Sequence, residues 1–183
     1  MGIRFDNQVA IVTGAGGGLG KEHALDLARR GARVVVNDLG GGVDGSGASD
    51  AAKAVVDQIM SEGGEAIANG ASVTDLDAVK AMVNEAMEKW GRIDILVNNA
   101  GILRDKSFHK DSIESFNTVM DVHFQGTLNC THTVYPIMRE QEFGRIIFTS
   151  SSSGVFGNFG QANYGSAKMA MIGLMNTLKL EGQ

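Results

Sequence analysis

Five short apolar runs, each followed by a stretch with helical spacing, constrain this chain more than any other feature. They are "QVAIVT" (Gln8–Thr13), "RVVVND" (Arg33–Asp38), "EAIAN" (Glu65–Asn69), "IDILV" (Ile93–Val97) and "GRIIFTS" (Gly144–Ser150). Aliphatic runs without polar alternation, bounded by glycines, suit parallel strands buried on both faces. The helices between them show apolar stripes. One carries Ala24, Leu27 and Ala28 up to a stop at Gly31, the next Ala52, Val55, Val56 and Ile59. A third, capped by Thr74 and ended by Gly91, carries Val79, Met82, Val83, Ala86, Met87 and Trp90. A long helix is expected from a Ser112 cap to about Glu142, kinked at the only proline, Pro136, and a last one from about Ala162 to Leu180. Strictly alternating strands and helices predict an α/β fold, a Rossmann-type doubly wound parallel sheet in three layers with helices on both faces. The Val and Met stripes are read as core. The segment "LGGGVDGSGAS" (Leu39–Ser49) can only be a loop.

A length of 183 residues suits a single domain, 1–183. The net charge of −5 argues against a nucleic-acid or anionic-membrane surface. No apolar run approaches the roughly 18 residues of a membrane span. The start "MGIRFDNQ" lacks a signal-peptide core and has Asp6 where a myristoylation site wants Ser or Thr. The expected location is cytoplasmic, or peroxisomal in a eukaryote. The lone Cys130 cannot form an internal disulfide and is read as a buried, inert thiol in a reducing setting. His23, His109 and His132 make no metal-ligand spacing with Cys130 or each other, so no metal is expected.

Between the first strand and the first helix lies "TGAGGGLGK", Thr13 to Lys21. Gly14, Gly18 and Gly20 would let the backbone turn sharply and approach a pyrophosphate resting on the helix N-terminus. A nucleoside-triphosphate loop is excluded. It requires glycine where Ala15 stands and a hydroxyl after Lys21, where Glu22 stands. Asp38 closes the second strand, 18 residues beyond Gly20. A carboxylate there can accept hydrogen bonds from the adenosine ribose and would repel a 2′-phosphate, so NAD is expected over NADP. The alternative is an aspartate that only opens a turn.

Near the end, "GNFGQANYGSAK" puts Tyr164 and Lys168 four apart, about one helical turn, just after Ser150–Ser153. A tyrosine ionises near pH 10 in water and a nearby cation favours its anion, so the pair is a candidate for moving a proton. One exposed polar turn is the alternative.

With "TGAGGGLG", "NNAG" (Asn98–Gly101) and Tyr164-x-x-x-Lys168 in order, the chain resembles the short-chain dehydrogenase/reductase family from about Phe5 to Gly182. "NDLGG", "NNAGILRD" and "FGNFGQANY" are most similar to the (3R)-hydroxyacyl-CoA dehydrogenase part of type 2 multifunctional β-oxidation enzymes. "GQANY" and "NNAGI" also resemble 3-oxoacyl-[acyl-carrier-protein] reductases. The resemblance implies hydride transfer between a nicotinamide cofactor and a 3-hydroxyacyl or 3-oxoacyl thioester. It makes Tyr164 the proton donor and acceptor, Lys168 the group that lowers its pKa and binds the nicotinamide ribose, and Ser151 the holder of the substrate oxygen. It carries cofactor contacts onto Thr13, Gly14, Gly18, Leu19, Gly20, Asp38, Ser72, Val73, Asn98, Asn99, Ala100, Gly101, Tyr164 and Lys168. A homodimer or homotetramer through the two long C-terminal helices is also implied.

Three departures from the family pattern matter. The fourth catalytic position is usually asparagine; "VHFQG" places His123 there, either in a proton relay or as a packed histidine. "GASVTD" lacks the usual adenine-pocket aspartate, which leaves Ser72 and nearby backbone for that contact. Family members continue with two more strands, so the expectation is a C-terminally incomplete domain with its fifth strand at an edge. A non-catalytic NAD-binding module is therefore the alternative from another class.

Overall fold

The structure, a computed structural model, describes residues 2–45 and 50–182. The last four residues of the expected 39–49 loop lie outside the described residues. Five strands form one parallel sheet: β1 (Val9–Thr13), β2 (Arg33–Asn37), β3 (Glu65–Asn69), β4 (Ile95–Asn98) and β5 (Arg145–Phe148), in the order β3-β2-β1-β4-β5. The central strand β1 pairs Val9 with Arg33 on one side and Ala10 with Ile95 on the other. Every residue of β1 is buried, which its unbroken aliphatic run requires.

The sheet separates two cores because successive strand residues point to opposite faces. Ala10, Val12, Val34, Val36, Ile95 and Val97 pack on α1 (Gly18–Arg29) and α2 (Ala51–Ser61) through Leu25, Ala28, Val55 and Ile59. Ile11, Val35 and Leu96 pack on α3 (Leu76–Trp90) and α5 (Gly126–Glu140) through Val79, Met82, Val83, Cys130 and Val134. This is the three-layer arrangement expected from the alternation. Cys130 is buried and its thiol is pushed up to about 12 by desolvation, so it is inert at neutral pH.

Several local expectations are corrected. Helix α1 starts at Gly18, not Lys21, so the end of the glycine-rich loop is itself the first helical turn. Asp75, not Thr74, caps α3: its Oδ1 accepts from Asp77 N and Ala78 N at 3.0 and 3.1 Å. The Thr74 hydroxyl pairs instead with Ser72, Oγ1 to Oγ at 2.8 Å. The long helix does begin at a Ser112 cap, but it runs as α4 (Ile113–Met120), a π-helical turn over Asp121–Gln125, and α5. It continues through Pro136 to Glu140, and Glu142 already has φ 53°. A short helix, α6 (Ser152–Phe156), precedes α7 (Ala162–Glu181) and was not expected. Strands β4 and β5 are shorter than expected, starting at Ile95 and ending at Phe148 respectively; just before β4 the wholly buried Asp94 accepts from Val9 N at 2.8 Å and from Arg92 at 2.6 Å.

From β1 the chain winds outward to β3, then returns across to β4 on the other side of β1. The strand order therefore reverses between β1 and β4, and a crevice opens beyond their C-terminal ends. Of the described strands, β5 pairs with β4 alone.

Candidate active site

Thr13 closes β1 and ties it to β4. Its Oγ1 donates to Val97 O at 3.3 Å and accepts from Asn99 N and Ala100 N, each at 3.1 Å. The Asn99 amide donates to Thr13 O and Gly14 O at 3.0 Å each, so "NNAG" braces the glycine-rich loop from behind. Gly20 lies so close to this brace that a Cβ would fall 2.2 Å from Gly14 O and 2.5 Å from Asn99 Nδ2. The loop and the start of α1 thus leave backbone, not side chains, facing the crevice, which is what a pyrophosphate group needs. Leu19 projects outward, 68% exposed. Asn98 turns inward instead, donating to Thr131 Oγ1 at 3.0 Å.

Asp38 follows β2 and faces the same loop. Its Oδ2 accepts from Gly16 N at 2.8 Å and its Oδ1 from Gly40 N at 2.7 Å. A Cβ on Gly16 would lie 2.8 Å from Oδ2, so this glycine is required there, a role the sequence reading missed. Beneath Asp38 the buried Asn37 amide donates to Asn69 Oδ1 at 3.1 Å and Ala71 O at 2.9 Å, which aligns the ends of β2 and β3. Gly14, Asp38, Ser72, Val73, Ala100 and Gly101 line one cleft of about 160 Å³. Leu39, Ile102, Val122 and Arg104 complete its lining, so one carboxylate and one guanidinium face a mostly small and aliphatic cleft.

At the other end of the crevice Lys168 and Tyr164 rise from α7. Lys168 is 2% exposed, its Nζ donates to Thr149 O, and it stands 5.4 Å from the Tyr164 ring centroid. Desolvation pulls its pKa from the ordinary lysine value down to about 8. Gly154 of α6 packs directly on Lys168, where a Cβ would lie 3.1 Å from the Lys168 Cβ. Ser151 caps α6: its Oγ accepts from Ser153 N at 3.2 Å, which leaves the hydroxyl proton available to a substrate oxygen. The neighbours are spent elsewhere, Ser150 on Lys168 O at 3.3 Å and Ser153 on Gln161 Oε1 at 2.8 Å.

His123 sits in the π-helical turn, 3% exposed, in edge contact with the Tyr164 ring. Its Nε2 lies 2.8 Å from Ile102 O and 3.1 Å from Ile102 N. The shorter contact assigns Nε2–H as donor to the carbonyl, and Nδ1 is then a buried acceptor without a partner. Desolvation first, and the Lys168 charge second, lower its pKa to about 4, so the ring is neutral at pH 7. Gly101 makes room for it, since a Cβ there would lie 2.2 Å from His123 Cε1.

The structure thus brings the glycine-rich loop, Asp38, Ser72 and Val73 together at one end of the crevice, and Tyr164, Lys168 and His123 at the other. Among the described residues no His, Cys, Asp or Glu cluster could hold a metal ion, and no helix is long and apolar enough to cross a membrane. A groove of about 600 Å³ lies apart from the candidate residues, along β5 between α5 and α7.

The family model for short chain dehydrogenases matches residues 8–183. The chain is 56% identical over 181 residues to peroxisomal multifunctional enzyme type 2 of Drosophila melanogaster, covering 98% of this chain and 30% of that protein. It is 44% identical to the 3-oxoacyl-[acyl-carrier-protein] reductase of Synechocystis, covering 95% of this chain and 68% of that protein. Among solved structures it matches 7α-hydroxysteroid dehydrogenase complexed with NADH and 7-oxoglycochenodeoxycholic acid, with TM-score 0.89 and 33% identity, over 98% of this chain and 67% of that one.

Proposed function

The chain belongs to the short-chain dehydrogenase family, whose cofactor is a nicotinamide dinucleotide, and we propose that it oxidises or forms 3-hydroxyacyl thioesters of coenzyme A with NAD. The buried Lys168 ammonium beside the Tyr164 ring carries this reading. The 56% identity to a multifunctional enzyme of peroxisomes and the "NNAGILRD" and "FGNFGQANY" segments support the thioester. Asp38 supports NAD: its carboxylate, held at the ribose end by two backbone N–H groups, would meet a 2′-phosphate as a like charge.

Bound nicotinamide supplies the hydride acceptor or donor. Every other role falls to this chain. In the oxidising direction the C–H bond of the alcohol carbon breaks with its electron pair leaving as hydride, while Tyr164 takes the hydroxyl proton; reduction reverses both. Ser151 donates a hydrogen bond to the substrate oxygen, keeping its own proton, and steadies the charge that develops there. Lys168 uses one N–H on Thr149 O and keeps the others for the tyrosine and the ribose. His123, neutral at working pH, packs against Tyr164 and offers Nδ1 as an acceptor to a relay of water molecules. Residues 1–183 act as one dinucleotide-binding domain, and subunits associate through α5 and α7, the latter exposing Met169 and Leu180 at 51% and 65%. The peroxisomal name of the fly relative favours that compartment.

The test is formation of reduced nicotinamide from 3-hydroxyacyl-CoA, with NAD and NADP in parallel. Turnover with NAD at least tenfold faster is expected. Preference for the acyl-carrier-protein thioester would instead support the reductase reading that the Synechocystis relative suggests. Saturable NAD binding without turnover of any thioester would instead establish a binding module.

A further inference from the structure

Asn163 precedes Tyr164 on the first turn of α7 and is 1% exposed. Its Oδ1 accepts the Tyr164 backbone N–H at 2.6 Å, while its Nδ2 donates to Arg104 O at 3.1 Å and to Asp111 Oδ2 at 2.9 Å. Both of those acceptors belong to segment 101–111, the irregular stretch after β4. Gln161 grips the same segment, Nε2 to Asp105 Oδ2 at 2.8 Å, and Lys106 N donates to Gly160 O at 2.9 Å. The other side of the segment is fastened to the loop after β2, by Leu103 N to Val43 O at 2.9 Å and Arg104 Nε to Asp44 O at 3.2 Å.

A helix start needs acceptors for its first N–H groups, ordinarily from the capping side chain. Gln161 at that position makes no capping bond. Asn163 does part of this work from inside the helix, and burying an amide for it is favourable only because both ends are satisfied. Asp111 Oδ1 has no hydrogen-bond partner in its buried position, so the Asn163 bond to Oδ2 is what holds that carboxyl in place. The amide therefore joins the helix turn that carries the phenol to a segment that also touches the dinucleotide side.

We propose that Asn163 is a positioning residue for Tyr164: it holds the first turn of α7 against segment 101–111, and through that segment's bonds to Val43 and Asp44 it links the placement of the phenol to the loop beside Asp38. The inference rests on the dehydrogenase reading above. Asn163→Asp replaces the Nδ2 donor by an acceptor facing the Arg104 carbonyl and the Asp111 carboxylate. A second substitution, Asp111→Asn, restores a donor–acceptor pair between 111 and 163 in the opposite sense.

The experiment compares purified wild type, Tyr164→Phe, Asn163→Asp and Asn163→Asp/Asp111→Asn for kcat, KM, NAD affinity and amide hydrogen exchange. Asn163→Asp is expected to lose about 10- to 100-fold in kcat, the scale of a small misplacement of a reacting group, with NAD affinity within about twofold. The double variant is expected to regain at least half of that loss on a logarithmic scale, and amides of 103–111 and of the first turn of α7 to exchange faster in the single variant alone. Turnover in the wild type, lost in Tyr164→Phe but kept within about twofold in Asn163→Asp, overturns the positioning role and leaves the dehydrogenase reading intact. A fall in kcat that Asp111→Asn leaves unrelieved also overturns it. A wild type without turnover overturns the dehydrogenase reading instead; the exchange rates then decide, with faster exchange supporting the Asn163 link and unchanged exchange overturning it.

Discussion

His123 meets Tyr164 edge to face, with ring centroids 5.1 Å apart and planes at 90°. Forty-one positions separate them in the chain, and the contact exists because a π-helical turn carries the histidine inward while α7 packs on α4. Such turns commonly sit at functional sites, where one extra residue re-aims a side chain.

That burial makes His123 a source of acid sensitivity. Its pKa is about 4 in the folded chain against an ordinary 6.5, so between those values the unfolded chain binds more protons. Stability is therefore expected to rise with pH across that window and to fall on acidification through it. At about 1.4 kcal/mol per pH unit the loss is on the order of 3 kcal/mol. Chemical denaturation of the wild type and of His123→Asn at a series of pH values measures this; an equal slope in both would exclude the histidine as its source.

Tyr164→Phe removes only the phenol oxygen and keeps the ring that touches His123 and Lys168. Turnover is expected to fall by about 10² to 10⁴, the usual worth of a positioned proton donor, with NAD affinity unchanged. Reduced-nicotinamide absorbance and a binding titration check the two halves separately.

Asp38→Asn keeps one acceptor for the Gly16 or Gly40 N–H while removing the charge that would oppose a 2′-phosphate. The preference for NAD over NADP is expected to narrow by about tenfold or more, since a like-charge contact costs several kcal/mol. Parallel titrations with the two dinucleotides read the ratio.

Gly20→Ala and Gly17→Ala are expected to separate cleanly. A Cβ at Gly20 would sit 2.2 Å from Gly14 O, whereas one at Gly17 meets nothing within 4 Å and the backbone there is extended, with φ −161°. Overpacking of this kind costs about 1–3 kcal/mol, so Gly20→Ala should lower Tm by several degrees and weaken NAD binding. Gly17→Ala should leave Tm within about a degree. Thermal unfolding monitored by circular dichroism distinguishes them.

The alternation of Val- and Ile-rich runs with helical stripes determined the strands, the helices and the two cores, because burial on both faces of a parallel sheet demands that pattern wherever the chain is placed. The glycines at 14, 18 and 20, Asp38, and the Tyr164–Lys168 spacing were legible for the same reason: each is a local requirement of a turn, a strand end or one helical turn. What only the tertiary structure decided are partnerships between distant residues. Gly16 is required by a carboxylate 22 positions away, His123 is neutral because burial desolvates it and the Lys168 charge opposes a second one, and Asn163 is buried because Arg104 and Asp111 reach it. Thr74 and Asp75 both carry a side-chain oxygen that can cap, and the fold pairs the Thr74 hydroxyl with Ser72, leaving the Asp75 carboxylate to accept from the first turn of α3. A chain written in local patterns can specify its layers, but the electrostatics of a buried site depend on what the folded layers bring within a few ångströms, and no spacing along the sequence encodes that distance.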